Sequence, residues 1–275
     1  MRKLATVLVL LAFHLAMFIP AGTSAGAMED AHEAITRGDW DTAYKLLKPL
    51  AEKGNASAQN DIAFLYSEGF GVQQDYTKAM KWYRRAAEKG NADAQTSLGL
   101  MYELGRGVPK DDTKAAKWYR KAASRGDASG QYLLGRNYNV GRGVPQNNVE
   151  AVKWIRKAAD QGDPNAQNDL GTMYEDGGGV PKDYVEAAKW FRMAAEKGYD
   201  LAQINLGNLY ELGRGVPQDY VLAYMWYNLA VIGTPGEEER ELRAMGRDRI
   251  ASKMTPAQIA EAQKLVGEWK PKKGK

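Results

Sequence analysis

Three glutamates, Glu103, Glu175 and Glu211, share one position of a pattern that returns every 36 residues, and recurring carboxylates raise the question of acid–base chemistry. Side chains on neighbouring packed helices sit about 8–10 Å apart, which overlaps the ~6.5–9.5 Å separation of an inverting glycosidase pair. Spacing therefore permits that reaction. A catalytic acid also needs surroundings that raise its pKa. These glutamates fall near the end of a helix, where exposure is expected, and repetition is what a structural role would produce. The two histidines are His14 and His32. Neither a zinc site nor a general base with its nucleophile and orienting partner can be assembled around His32. The chain has no cysteine, which removes thiolate ligands, disulfides and a cysteine nucleophile. Turns such as Gly105-Arg106-Gly107 lack the strand before and the Lys-Ser/Thr after that a phosphate cradle requires. No catalytic, cofactor-binding or metal-ligating residue is expected.

Chemistry gives way to architecture once the elements around these residues are considered. Met1, Arg2 and Lys3 precede an apolar run from Leu4 to Ile19, followed by Pro20 and small residues with Ala25-Gly26-Ala27 among them. That order reads as a secretory signal peptide over 1–27, cleaved after Ala27 or Ala25. The run is short of the ~20 apolar residues a membrane span needs. Cleavage would remove two of the charges behind the net +4. Four lysines, Lys270, Lys272, Lys273 and Lys275, outnumber the remaining excess. The body is near neutral, which excludes the clustered basic face of a nucleic-acid binder. Periplasmic residence, without a stable membrane anchor after cleavage, is the expectation.

The repeat is plain in Trp82, Trp118, Trp154, Trp190 and Trp226, each 36 residues after the last. Gln59, Gln95, Gln131, Gln167 and Gln203 keep the same step, as do Tyr66, Tyr102, Tyr138, Tyr174 and Tyr210. Five units occupy 55–233, each read as two helices joined by a glycine-rich turn. Asn55, Asn91, Asp127 and Asp163 suit the N-cap of the first helix, with Asp200 a substitute cap where Tyr199 takes that place. Asp75, Asp111, Asn147, Asp183 and Asp219 cap the second, and Asn147/Glu150 and Asp183/Glu186 have capping-box spacing. Glycine ends the first helix and proline soon after forbids its continuation. Leu98, Tyr102, Ala115, Trp118, Tyr119, Ala122 and Ala123 fall at core spacing, so the aromatics are packing residues rather than a platform for nucleic-acid bases. One pair cannot bury such faces alone, so the pairs must stack. Residues 28–54 read as a degenerate capping repeat, 234–269 as capping helices and 270–275 as a disordered basic tail.

The phrase Ala92-x-Ala94-Gln95-x-x-Leu98-Gly99-x-Met101-Tyr102-x-x-Gly105-x-Gly107-Val108-Pro109-x-Asp111, with Ala115-x-Lys117-Trp118-Tyr119-Arg120-Lys121-Ala122-Ala123-x-x-Gly126, resembles the Sel-one-like repeat, a relative of the tetratricopeptide repeat. The resemblance implies an all-α, right-handed superhelical solenoid of helix-turn-helix repeats. It also implies a non-catalytic adaptor for a protein partner, in bacteria often in envelope signalling, envelope maintenance or contact with host proteins. Cysteine-rich relatives are linked to β-lactams, but their helix-pairing cysteines are missing here.

Positions that vary between units while their neighbours stay fixed are the ones free to meet a ligand. Asn60, Thr96, Tyr132, Asn168 and Ile204 form one such ladder. Phe64, Leu100, Arg136, Thr172 and Asn208 lie one helical turn further along the same face. Tyr132, Arg136 and Asn139 stand out, because tyrosine and arginine are common interface anchors.

Overall fold

The computed structural model describes residues 24–272; the predicted leader up to residue 23 and the last three residues of the tail lie outside them. The described residues hold fourteen helices and no strand. A first pair, α1 (Ser24–Thr36) and α2 (Trp40–Glu52), precedes the repeats. The first helices of the five units are α3 (Ala56–Glu68), α5 (Ala92–Leu104), α7 (Ala128–Val140), α9 (Pro164–Asp176) and α11 (Asp200–Leu212). Their second helices are α4 (Tyr76–Glu88), α6 (Asp112–Ser124), α8 (Asn148–Asp160), α10 (Tyr184–Ala195) and α12 (Tyr220–Gly233). Two more, α13 (Glu237–Ala251) and α14 (Pro256–Glu268), pack on α12. The chain divides into two compact units, Met1–Ala122 and Ala123–Lys275.

Local chemistry sets the boundaries. The side chains of Asn55, Asn91, Asp127 and Asp163 each accept a hydrogen bond from the third backbone N–H of the helix they open. Tyr199 has no such bond; Asp200 accepts the backbone N–H of Leu201 at 2.7 Å through one carboxylate oxygen and pairs with Arg243 of α13 through the other. Asn147 and Asp183 cap α8 and α10, but Glu150 and Glu186 reach forward to Lys153 and Lys189 rather than back to the caps. A complete capping box forms only at Thr255 and Gln258 among the described helix starts. The first helix of each unit ends on a left-handed glycine, as at Gly105 with φ 66°, a conformation that costs an L side chain about 1–2 kcal/mol.

The second glycine of the turn is there for space. A Cβ at Gly107 would lie 2.6 Å from the carbonyl oxygen of Tyr76, at the start of the preceding unit's second helix. Gly71 meets Trp40 in the same way, and Gly179 and Gly215 meet Asn148 and Tyr184. The Gly-x-Gly turns are therefore packing devices between successive pairs.

The repeated glutamines join one pair to the next. Each side-chain amide donates to the carbonyl of an alanine eight residues earlier: Gln59 to Ala51, Gln95 to Ala87, Gln131 to Ala123, Gln167 to Ala159 and Gln203 to Ala195, at 2.9–3.3 Å. Those carbonyls lie in the last turn of a helix, which lacks intrahelical partners. Each also accepts the backbone N–H of the glycine three residues on, at 2.9–3.1 Å, so the glutamine fills a second acceptor position and ties the next pair to that turn.

In the N-terminal unit, Ala31, Ala34, Ala43, Leu47, Leu50, Ile62 and Leu65 form the core of the first pair and its contact with the first repeat. His32 on α1 closes that contact from the side, its Nε2 lying 2.9 Å from Asp61 Oδ2 on α3. The hydrogen bond to Asp61 raises the His32 pKa above its ordinary 6.5; partial burial opposes the shift and the charge of Asp61 adds to it. A raised histidine pKa gives stability that is fully present below the unfolded value and is lost as pH rises through the folded value. Docking of α1 should thus weaken above pH 6.5, and His32→Gln should flatten the profile. Hydrogen exchange in α1 followed from pH 6 to 8.5 measures this; protection that is equally pH-dependent in the variant would show the pair to be irrelevant.

Two expectations for the ends are revised. The capping repeat read over 28–54 opens on α1, which starts at Ser24 and so includes the small residues of the expected cleavage region. The tail is anchored through Lys272, whose backbone N–H donates to the Glu196 carbonyl at 2.7 Å while its ammonium pairs with the Glu196 carboxylate.

Candidate functional site

Two of the recurring carboxylates, Glu103 and Glu211, accept hydrogen bonds from tyrosines of their own units, and the expectation that the three are exposed is wrong. In the second repeat, Tyr119 is fully buried and its hydroxyl donates to Glu103 at 2.6 Å. In the fifth, Tyr227 donates to Glu211 at 2.8 Å, and Arg249 and Lys253 complete the shell at 2.6 and 3.1 Å. Burial alone would raise the Glu211 pKa. The hydrogen bonds from Arg249, Tyr227 and Lys253 outweigh it and hold the carboxyl below its usual range, the wrong direction for a general acid. Glu175 departs the other way, raised by burial and by neighbouring Asp176 against Arg214 and Lys182. Its unit carries Phe191 where the other two glutamate-bearing units have Tyr119 and Tyr227. Among the described residues there is no cluster of three or more His, Asp or Glu able to hold a metal ion.

The variable ladders are divided by the fold into buried and open positions. In the N-terminal unit Thr96 is buried. Asn60 is half-buried and donates to Asp61 at 3.2 Å. Phe64 leans on Phe70, which stacks on Trp40 at 4.5 Å. Leu100 is open at 36% exposure, and Leu104, one turn on, is 54% exposed.

In the C-terminal unit Tyr132 is spent internally, its hydroxyl donating to Asp169 on the next first helix at 3.0 Å. Burial raises the pKa of Asp169, and burial with the charge of Asp169 pushes the Tyr132 phenol well up. Asn168 is buried and accepts from Asn205 at 3.0 Å. Asn208 Oδ1 lies 2.6 Å from the Tyr227 hydroxyl, Thr172 bonds its own helix, and Ile204 packs beside Tyr224 and Tyr227. Tyr132 and Asn168 are therefore corrected from partner contacts to helix-to-helix contacts, and burial removes Thr96 from the open face. In both bonds the partners are 37 residues apart on adjacent first helices, so these ladder positions meet the next helix before they meet solvent.

Arg136 and Asn139 are exposed. The Arg136 guanidinium lies 5.7 Å from the centre of the Tyr132 ring, so Tyr132 serves as the shelf on which the arginine is presented. Val140, beside it, is 60% exposed. Leu104, Val140 and Leu212 were absent from the sequence ladders. Each lies four residues after a ladder position, and the same rule of one further turn would have found them.

The Sel1 repeat family model matches residues 56–91, 92–127, 128–163, 164–199 and 200–231. The chain belongs to the Sel1 repeat family. A Sel1 repeat protein from Oxalobacter formigenes is 32% identical, with a TM-score of 0.74 over 88% of this chain and all of that one. A protective antigen of uropathogenic Escherichia coli with an SLR fold is 30% identical, with a TM-score of 0.56; the match covers 90% of this chain and 61% of the antigen. An immunity protein from Pseudomonas aeruginosa shares the fold at 22% identity and a TM-score of 0.50, over 90% of this chain and 89% of that one. No curated protein matches. Within the Sel1 frame, the invariant Gln, Tyr and Gly positions are those that bind one helix pair to the next. Sel1 repeats mediate protein–protein interaction, which leaves Leu100, Leu104, Arg136, Asn139 and Val140 as the candidate contacts. Among the described residues no helix is long and apolar enough to cross a membrane.

Proposed function

We propose that this Sel1 repeat protein is a non-catalytic adaptor of the bacterial periplasm that holds a protein partner on the open turns of its first helices. The observation that carries the reading is the exposure of apolar residues and an arginine at positions that vary between otherwise regular units: Leu100 and Leu104 in one compact unit, Arg136 and Val140 in the other. Surface leucines occur singly without meaning, but an arginine held on an aromatic shelf beside an exposed valine has the make-up of an interface anchor. Export rests on the leader sequence, and sequencing of the mature N-terminus from a periplasmic fraction should begin at Gly26 or Met28.

A photo-crosslinking residue placed at Arg136 or Val140 in living cells should trap one protein species, whereas the same residue at Lys117, on the exposed side of a second helix, should not. Arg136→Glu with Val140→Asp should abolish capture and leave helicity unchanged. Equal trapping at all three positions, or capture that survives the double substitution, refutes the assignment. Similarity to a protective antigen favours a second reading, in which the mature chain acts outside the cell on a host protein. Recovery of the chain from culture medium rather than the periplasm separates the two.

A further inference from the structure

The C-terminal end of the chain occupies a place that the repeat itself leaves open. At three junctions between units, a long side chain near the end of a second helix donates to a glycine carbonyl of the preceding junction: Lys89 to Gly54, Gln161 to Gly126 and Lys197 to Gly162. The next residue in that series is Gly233, which has no side chain to offer the junction at Gly198. A different segment lies there. After α14 ends at Glu268 the backbone turns extended, with Trp269 at φ −70° and ψ 139°. The Trp269 ring comes to rest 3.8 Å, and the Pro271 ring 3.9 Å, from where a Cβ on Gly198 would be.

The same segment makes a main-chain hydrogen bond, Lys272 N to Glu196 O at 2.7 Å, and an ion pair, Lys272 Nζ to Glu196 Oε2 at 2.7 Å. The acceptor carbonyl belongs to the residue just past α10, which ends at Ala195, one residue earlier in its unit than α4, α6 and α8 end in theirs. A surface ion pair alone contributes little. Here it is joined to an aromatic ring packed on the core formed by Phe191, Leu206, Met225 and Trp226, and to a backbone bond that reads an extended chain irrespective of sequence.

We propose that the junction of the fourth and fifth units is a docking site for an extended peptide of the form aromatic-x-Pro-Lys, and that the chain's own C-terminal segment is its resident, displaceable occupant. Glu196 supplies both recognition elements, its carbonyl for the peptide backbone and its carboxylate for the lysine. Gly198 supplies the shelf for the two rings. This site is separate from the open turns of the first helices, so a negative crosslink at Arg136 leaves it standing.

The test uses the full-length chain and, as probe, a fluorescein-labelled peptide of its own residues 267–275, followed by fluorescence anisotropy. A tethered segment competes at an effective concentration in the millimolar range. The native chain should therefore bind the probe at least about tenfold more weakly than the Trp269→Ala/Lys272→Glu variant, whose own segment is released. Adding Glu196→Gln to that variant should reverse most of the gain. Lys272→Glu alone, at a largely exposed side chain that leaves the packing intact, should give a smaller gain of the same sign. Binding that is equal in native and released chains, absent from both, or indifferent to Glu196 overturns the proposal.

Discussion

Phe191→Ala is expected to destabilise the C-terminal unit by about 3–5 kcal/mol, the range for deleting a fully buried phenylalanine. Phe191 has no exposed surface and belongs to a core with Ala187, Ala188, Leu206, Leu209, Met225 and Trp226. Its ring lies on Gly171, where an added Cβ would come within 2.6 Å of it, so α9 and α10 would lose their main contact. Small residues surround the vacated volume, and the backbone on both sides is held by the Gln167 and Gln203 bonds, which limits collapse. The urea midpoint followed by tryptophan fluorescence measures the loss; a change below about 1 kcal/mol would show that the site collapses. Phe191→Tyr has the opposite expectation. Tyr119 and Tyr227 donate to Glu103 and Glu211, and a hydroxyl at position 191 would give Glu175 the same bond. That bond should be worth about 0.5–1.5 kcal/mol, and the raised Glu175 pKa should fall, as read by NMR titration.

Gly99→Val should cost about 3 kcal/mol, at the upper end of the overpacking range. In a helix interior, glycine is worse than alanine by about 1 kcal/mol on propensity alone, so a bland reading predicts that a side chain here would help. The structure reverses the sign. A Cβ at Gly99 would fall well inside van der Waals contact with the Tyr119 ring, and that ring cannot withdraw because it is fully buried with its hydroxyl bonded to Glu103. The diagnostic is a double-mutant cycle with Tyr119→Ala. If the clash is the cause, the two losses are strongly non-additive, because shortening residue 119 makes room for the valine. Simple additivity would place the cause elsewhere.

Much of this was legible before any coordinates, for a physical reason. A helix pair that must pack on a copy of itself forces the same residues to recur at the same step, so Gln95, Gly99, Tyr102 and Asp111 announced the register, the caps and the core. The contact surface was harder to read. Variation between units marks a position as not required by the regular stack, yet Tyr132 and Asn168 vary because each makes its own bond to the next helix, to Asp169 and Asn205. Helix-end position alone likewise suggested exposure for Glu211, since the groups that enclose it, Arg249 on α13 and Lys253 just after that helix, come from outside the repeat. The C-terminal segment was misjudged for the same reason: composition described its lysines, and only the missing side chain at Gly233 made a place for it.

The glutamine bond has a bearing on how such a chain changes length over evolutionary time. Gln203 takes its acceptor from Ala195, and Gln167 takes the equivalent one from Ala159. Excision of residues 164–199 would present Gln203 with Ala159, the same acceptor at the same distance along the chain, and in-frame duplication of that stretch would do the reverse. Gain or loss of whole units then keeps this bond, whereas an insertion between a glutamine and the alanine eight residues before it breaks it. The number of units is thereby freer to drift than the sequence within one.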